Sequence, residues 1–302
     1  MNIVSLLPSA TEMVYAVGAE PVGVSHECDH PPDALDKPSV TSARIDADAE
    51  TSAEINETVA EARDEGGVYE VDTEALGALD PDVVVTQDVC DVCAVGDGSV
   101  RRALEGIDAS PRLVTLHSHT VDGVLDDVRK VGEAVGRSEA ADETVADLRA
   151  RLDTVREHTA SLDDRRTVVL DWLEPPMVAG HWVPELVEAA GGEYPLASPG
   201  DVSTVRDWDE VRDAAPDALV AAPCGFGMRR TVENFDEVAG RDGWDTVPAV
   251  REGRAYAADG SAYFNRPGPR LVDTAEALAC CLHPDEFGPP PSDTAATPVR
   301  VR

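Results

Sequence analysis

The chain opens with a strand–helix–strand pattern, which restricts its possible folds more than any other feature of the sequence. Residues 3–7 form an apolar run typical of a buried strand, and residues 22–24 have the same character. Between them lies a predicted helix that Ser9 or Thr11 can cap and that Gly18 can end. Two strands connected through a helix usually pair in parallel, so the opening predicts an α/β protein.

Further apolar runs predict more strands of this kind, at residues 83–86, 113–116, 168–171, 218–222 and 255–257. Apolar residues at helical spacing predict two helices across 121–160, and a helix of about 20 residues is about 30 Å long. The sequence therefore predicts an α/β fold of two Rossmann-like lobes with parallel sheets, joined by a long backbone helix. The expected bounds are an N-terminal lobe at 1–118, a helical linker at 119–164, a C-terminal lobe at 165–284 and a disordered, Pro-rich tail at 285–302.

A short signature occurs once in each predicted lobe. Residues 73–85 and 208–220 each carry an acid near the start, Glu74 or Asp209, and continue through a Pro-Asp pair into an apolar run. The acid precedes the proline by seven residues in both copies. An acid near a helix N-terminus and a proline at the helix end explain each copy separately. Their equivalent places in two similar halves indicate pseudo-symmetric lobes.

The chain is strongly acidic, with 59 Asp and Glu against 25 Lys and Arg and a net charge of −34. The acids are spread from end to end, and Lys37 and Lys130 are the only lysines. This pattern is typical of adaptation to a salt-rich cytoplasm, where at molar salt the Debye length falls to about 3 Å. The charge also argues against binding of nucleic acid.

Neither a membrane-spanning run nor a secretory signal is recognisable in the sequence. We therefore expect a cytoplasmic protein, or an extracytoplasmic, membrane-associated one if a leader has been removed. In a reducing compartment the six cysteines are expected to be thiols rather than disulfides.

The strongest local signal is the C-x-x-C pair Cys90 and Cys93, which follows the predicted strand at 83–86. Such a pair can be half of a metal site, a redox pair or two small buried residues. Cys28 follows another predicted strand of the same parallel sheet, and such strands end at the same edge. Cys28 can therefore lie close to Cys90 and Cys93, together with His26 or His30. The candidate metal ligands are Cys28, Cys90, Cys93 and His26. Cys280 and Cys281 lie in an apolar helix and are expected in the core.

Other polar and aromatic residues follow predicted strands at the positions where open α/β sheets bind ligands. In the first half they are His26, Cys28, Asp29 and Gln87, with Cys90 and Cys93; in the second half they are His181, Trp182, Phe226, Arg229, Tyr263, Phe264 and Arg266. The alternatives are a capping or buried histidine at His181 and a packed hinge loop around Tyr263. The H-x-H at 117–119 can bind metal or simply end a strand. Nothing in the sequence signals an enzyme strongly: G-x-S-x-G, the Walker A motif and a G-x-G-x-x-G after a strand are all absent from it.

The opening residues MNIVSLLPSATEMVYAVGAEPVGVSHECDHPP resemble the start of the cobalamin- and siderophore-type substrate-binding proteins of ABC importers. Those proteins begin with a similar strand–SPS/T-x-T-E–helix–G–VGVS–D-x-P-P run, and the resemblance extends over residues 2–284. It implies that a metal-chelate ligand such as cobalamin or another corrinoid binds between the lobes, with no reaction. It also implies that Glu74 and Asp209 dock on basic residues of an ABC permease.

Two rival hypotheses remain at this point. One is a cytosolic metal- or tetrapyrrole-handling protein, an enzyme included, that uses the three thiols and a histidine. The other is a regulatory domain that senses cobalamin. Under the main hypothesis, Cys28, Cys90 and Cys93 are expected on one cleft wall, opposite His181, Trp182 and Tyr263.

Overall fold

The computed structural model describes residues 1–45, 51–64, 67–89, 92, 94–292 and 296–298. Their contacts group the chain into two compact units. Unit 1 comprises described residues within 1–50, 54–118 and 122–147, and unit 2 comprises those within 51–53, 119–121 and 148–302. The domain bounds expected from the sequence, with a separate linker at 119–164, stay a prediction.

Unit 1 is built on a four-stranded parallel sheet in the order β2-β1-β5-β6. Its strands are β1 Ile3–Ser5, β2 Gly23–Val24, β5 Val83–Gln87 and β6 Arg112–Leu116. The two central strands are buried along their whole length, which explains why both consist mainly of apolar and small residues. A separate antiparallel pair consists of β3 Thr41–Ala43 and β4 Tyr69–Val71.

The helices with most of their residues in unit 1 are α1 Pro8–Ala16, α2 Ser52–Asp64, α3 Thr73–Ala78, α4 Asp97–Leu104 and α5 Val121–Ala134. The sequence prediction for the start of α1 was wrong, because Ser9 and Thr11 lie inside the helix and neither caps it. Pro8 occupies the first turn instead, where its missing N–H costs no hydrogen bond. Gly18, with φ of 70°, follows the helix end as expected.

The long helix α6 spans Ser138–Thr159, and its 22 residues correspond to about 33 Å. The chain passes along it from unit 1 into unit 2. The apolar stripe predicted from helical spacing is confirmed, since every member is buried: Val145, Leu148, Leu152 and Val155.

Unit 2 is built on a seven-stranded mixed sheet in the order β10-β8-β7-β11-β12-β13, with β9 paired to β7. The strands are β7 Arg165–Trp172, β8 Met177–Val178, β9 Gly192–Glu193, β10 Thr204–Val205, β11 Ala218–Ala221, β12 Ala255–Ala258 and β13 Ala296–Pro298. The central strands β7, β11 and β12 are parallel, as predicted. The antiparallel strands β8, β10 and β13 were not predicted. The strand β13 and all but the first residue of the helix Pro284–Phe287 fall within 285–302, the segment for which the sequence predicts disorder.

The helices of unit 2 are α7 Val183–Ala189, α8 Trp208–Asp213, α9 Met228–Asn234, α10 Asp236–Ala239, α11 Pro248–Arg251, α12 Leu271–Leu282 and α13 Pro284–Phe287. In α12, Cys281 is fully buried and Cys280 is half-buried. Burial raises the pKa of both thiols, so they stay protonated. The four cysteines in the described ranges are free thiols. Within the described ranges, every helix is too short or too polar to cross a bilayer.

Candidate functional site

The carboxyl ends of β2, β1, β5 and β6 lie at one edge of the sheet in unit 1, because the four strands are parallel. His26 follows β2 at this edge and is exposed. Its Nδ1 lies 2.8 Å from the Thr41 hydroxyl, and its backbone N–H donates to the same oxygen at 3.1 Å. The Thr41 hydroxyl in turn donates to Ser25 at 2.9 Å, so the His26 ring is held in a defined orientation.

Cys28 lies two residues further on, and its side chain is buried. Its Sγ is 3.1 Å from the hydroxyl of Thr11, which itself donates to Ser5 Oγ at 2.8 Å. Because Thr11 has one hydroxyl proton, the thiol of Cys28 donates to it. Cys28 also packs in a small apolar cluster with Val24 and Ala34. Asp29, in contrast, is exposed.

At the ends of β5 and β6, Gln87 is buried and its side-chain oxygen accepts from the backbone N–H of Val89. The next residue, Asp88, pairs with His117 at 2.5 Å between Oδ1 and Nδ1. Asp127 accepts from the backbone N–H of His117 at 3.2 Å and from the Ser118 hydroxyl. Burial raises the pKa of Asp127. This edge of the sheet therefore carries a network of hydrogen-bonded polar side chains. The H-x-H motif at 117–119 indicated its histidine but not the two aspartates.

The predicted metal site depends mainly on Cys90 and Cys93, which lie outside the described residues. Within the described ranges, no group of three or more His, Cys, Asp or Glu side chains is placed to hold a metal ion. Shared ligation by Cys28, Cys90, Cys93 and His26 therefore stays a prediction, and so do the predicted ligand contacts of Asp29 and Gln87.

The matching edge of unit 2 is aromatic. Trp172 ends β7 and meets Phe226, which follows β11, edge to face at 5.4 Å between ring centroids. The guanidinium of Arg230 lies 4.2 Å from the centroid of Phe226. The sequence pointed to Arg229 instead, but that side chain is 91% exposed and sits 3.9 Å from Glu233. Trp172 and Arg230 are functional candidates that the sequence analysis missed.

The loop after β12 is locked against β11 by a close backbone approach. A Cβ on Gly260 would lie 2.2 Å from the carbonyl oxygen of Pro223, so only glycine fits there. Asn265 Nδ2 donates to the carbonyl of Ala222 at 2.8 Å, and the indole N–H of Trp182 donates to the carbonyl of Phe264 at 2.8 Å. These contacts bring the loop and the start of α7 together.

The predicted ligand residues of unit 2 differ in how accessible they are. Trp182, Phe226, Phe264 and Arg266 are buried, between 1% and 5% exposed. Tyr263 is half-buried, and Arg270 lies 5.2 Å from its ring centroid. Tyr263 therefore offers more surface to a ligand than the buried group does. Ligand contact by any of these residues stays a prediction.

His181 precedes α7 in a left-handed backbone conformation, with φ of 53°. Its N–H donates to the carbonyl of Asp201 at 2.5 Å, and its own carbonyl accepts from Gly200 at 2.9 Å. Its Nδ1 lies 2.9 Å from Nδ1 of His119. Burial and the nearby His119 lower the pKa of His181, which favours the neutral imidazole.

Glu74 and Asp209 are both exposed, each at the second residue of a short helix, α3 or α8. Each helix is capped by an aspartate two residues earlier. Asp72 accepts from the N–H of Ala75 at 2.9 Å, and Asp207 forms a capping box with Glu210.

The equivalence of the two copies continues past the helices. Asp80 and Ala215, at matching positions, both have positive φ, 44° and 47°. Asp82 then accepts from the N–H of Asn2 at 2.6 Å, and Asp217 accepts from the N–H of Arg166 at 3.0 Å. Each aspartate thus ties its copy to the beginning of the neighbouring parallel strand, β1 or β7.

Comparison with known proteins finds relatives that are similar in sequence and solved structures that are similar in fold. The chain is 25% identical over 305 residues to an uncharacterized ABC transporter substrate-binding lipoprotein, YvrC, of Bacillus subtilis, covering 95% of this chain and 81% of the relative. It is 24% identical over 226 residues to a cobalamin-binding protein of Halobacterium salinarum, covering 72% of this chain and 58% of the relative.

A similar fold occurs in a periplasmic heme binding protein from Pseudomonas aeruginosa, with a TM-score of 0.72 and 19% identity over 100% of this chain and 98% of that one. The profile of the family described as periplasmic binding protein matches residues 3–262. That match covers most of the 302 residues and both units. The chain therefore belongs to the periplasmic binding protein family.

Proposed function

We propose that this protein is the substrate-binding component of an ABC importer and that its ligand is cobalamin or a related metal chelate. Family membership favours a binding protein over the rival hypothesis of a metal- or tetrapyrrole-handling enzyme. The ligand class is supported by the cobalamin-binding relative from Halobacterium salinarum. It is also supported by the aromatic and cationic residues at the sheet edge of unit 2, because aromatic faces suit flat ligands.

The observation that carries the importer role is the duplication around Glu74 and Asp209. The same aspartate cap, exposed acid, left-handed residue and strand-tying aspartate occur in both units. The packing of a short helix does not require an exposed acid at its second residue. It also does not explain why an exposed acid occurs at the same position in both units. A permease with basic residues facing each unit would use both acids. On this basis we assign permease docking to Glu74 and Asp209.

The ligand assignment can be tested by titrating the purified protein with cyanocobalamin, hemin and a ferric hydroxamate siderophore, following quenching of tryptophan fluorescence. We expect saturable binding of cyanocobalamin. Tyr263→Ala should weaken it roughly tenfold, because one aromatic contact contributes about 1–2 kcal/mol with its buried area.

Phe287→Ala is the matched control, since this half-buried aromatic in α13 packs against His158 and against His283, which contacts Gly191 beside the amino end of β7. It should leave binding unchanged. Saturable binding of hemin or the siderophore alone would replace cobalamin as the ligand, and an equal loss in both variants would refute the assigned site.

A further inference from the structure

His119 and His181 form a pair of imidazoles, 62 residues apart in sequence, that the proposed function does not use. Both residues belong to unit 2. Their Nδ1 atoms are 2.9 Å apart, and the ring centroids are 5.0 Å apart. At this distance one ring carries its proton on Nδ1 and donates it to the lone pair of the other.

The surrounding contacts hold His181 and the segment that carries His119 in place. His181 is fixed through its own N–H and carbonyl to the turn at Asp201 and Gly200, and its ring stacks on Trp182 at 5.4 Å. The segment that carries His119 is fixed two residues later, where Glu185 of α7 accepts from the N–H of Val121 at 2.6 Å. The positive φ of His181 is a costly conformation for a residue other than glycine, and such residues cluster at functional sites.

The spacing of the two nitrogens matches two metal ligands that are bound at a right angle to each other. A metal–imidazole bond is about 2.0–2.1 Å long. Two such bonds at a right angle place their nitrogens about 2.9 Å apart, whereas the tetrahedral angle places them about 3.4 Å apart. The observed 2.9 Å therefore fits neighbouring positions of a square-planar or octahedral ion.

We propose that His119 and His181 bind a divalent first-row transition ion of this geometry, such as Cu²⁺ or Ni²⁺, through their two Nδ1 atoms. The ring that carries the shared proton changes to its Nε2–H tautomer on binding, so no net proton is released. Water completes the coordination, because the described residues supply no third His, Cys, Asp or Glu ligand at this point.

This ion is distinct from the metal of the proposed cargo. A corrin or porphyrin ring occupies the equatorial positions of its metal and leaves only the two opposite axial ones to the protein. Two nitrogens at neighbouring positions cannot both bind such a metal. The site therefore takes a hydrated ion, and it does not depend on whether the protein binds cobalamin.

The test is titration of the full chain with Cu²⁺, followed by calorimetry and by electron paramagnetic resonance. We expect one Cu²⁺ whose spectrum shows two coupled nitrogens, with Zn²⁺ bound more weakly. His119→Gln and His181→Gln should each weaken binding at least about tenfold and leave one coupled nitrogen, since even outer partners of a metal site contribute about 10–100-fold. His181→Gly, which suits the positive φ, should give the same loss if glutamine disturbs folding.

His158→Gln is the matched control, because this histidine of unit 2 is exposed on α6, and it should bind Cu²⁺ like the unaltered protein. Unchanged affinity in both His119→Gln and His181→Gln would overturn the proposal. Sulfur coordination in the spectrum, or a loss confined to His26→Gln, would also overturn it and would support the thiol site suggested by the sequence.

Discussion

At the scale of single residues, His283 shows how a buried group couples stability to pH. It follows α12 and is buried, and its Nε2 lies 3.1 Å from the carbonyl of Gly191. A Cβ at Gly191 would lie 2.8 Å from the same nitrogen, so the two residues are closely fitted. Burial lowers the pKa of His283, despite the carbonyl that favours its N–H.

We predict that His283 makes the protein less stable as the pH falls through about 6.5, the pKa of an unfolded histidine. Below that value the unfolded chain binds a proton that the folded chain takes up only at lower pH, so protonation favours unfolding. Urea unfolding at pH 7.5 and 5.5 measures this loss. His283→Gln should lose less stability between the two pH values than the unaltered protein, and an equal loss would contradict the prediction.

At the scale of elements, the helix–strand connections after α3 and α8 each contain one residue in the left-handed backbone conformation. That residue is Asp80 in the first connection and Ala215 in the second. Asp80 suits this conformation better than Ala215, because a short polar side chain can hydrogen-bond locally. The two positions therefore form an internal pair in which backbone geometry is shared and residue type differs.

We predict that Ala215→Gly stabilises unit 2 and that Asp80→Gly has little effect on unit 1. Relieving the left-handed alanine gains about 1–2 kcal/mol, and the freer unfolded glycine costs about 0.4–1 kcal/mol. The net gain at Ala215 is at most about 1.5 kcal/mol, with a midpoint of about 0.8 kcal/mol, and thermal or urea unfolding measures it. A larger gain at Asp80 than at Ala215 would contradict the claim that aspartate suits this conformation better than alanine does.

At the scale of the whole molecule, the two units carry one exposed acid each, and the two acids are not electrostatically equivalent. Asp209 is 3.0 Å from Arg212 on the same helix. Such an exposed ion pair contributes little to stability, about 0–1 kcal/mol. A basic residue of a partner protein can therefore replace Arg212 beside Asp209. The docking role therefore remains open to Asp209 as well as to Glu74.

We predict that reversing both charges, Glu74→Lys with Asp209→Lys, lowers ligand uptake by vesicles containing the cognate ABC permease at least about tenfold. Ligand binding by the isolated protein should not change. Glu70→Lys with Asp213→Lys is the matched control, since these acids are also exposed, one in each unit. Equal losses in the two double variants would indicate a general charge effect and would refute specific docking.

The sequence by itself determined the α/β class, the central strands, the stripe of α6 and the duplicated acids. Those features depend on apolar periodicity and turn chemistry within about 15 residues, which a single sequence displays directly. Only the tertiary structure decided that Cys28 is buried against Thr11, that Arg230 rather than Arg229 covers Phe226, and that His119 meets His181. These outcomes depend on contacts between distant segments and on side-chain direction, because packing selects which of several equally polar neighbours turns inward.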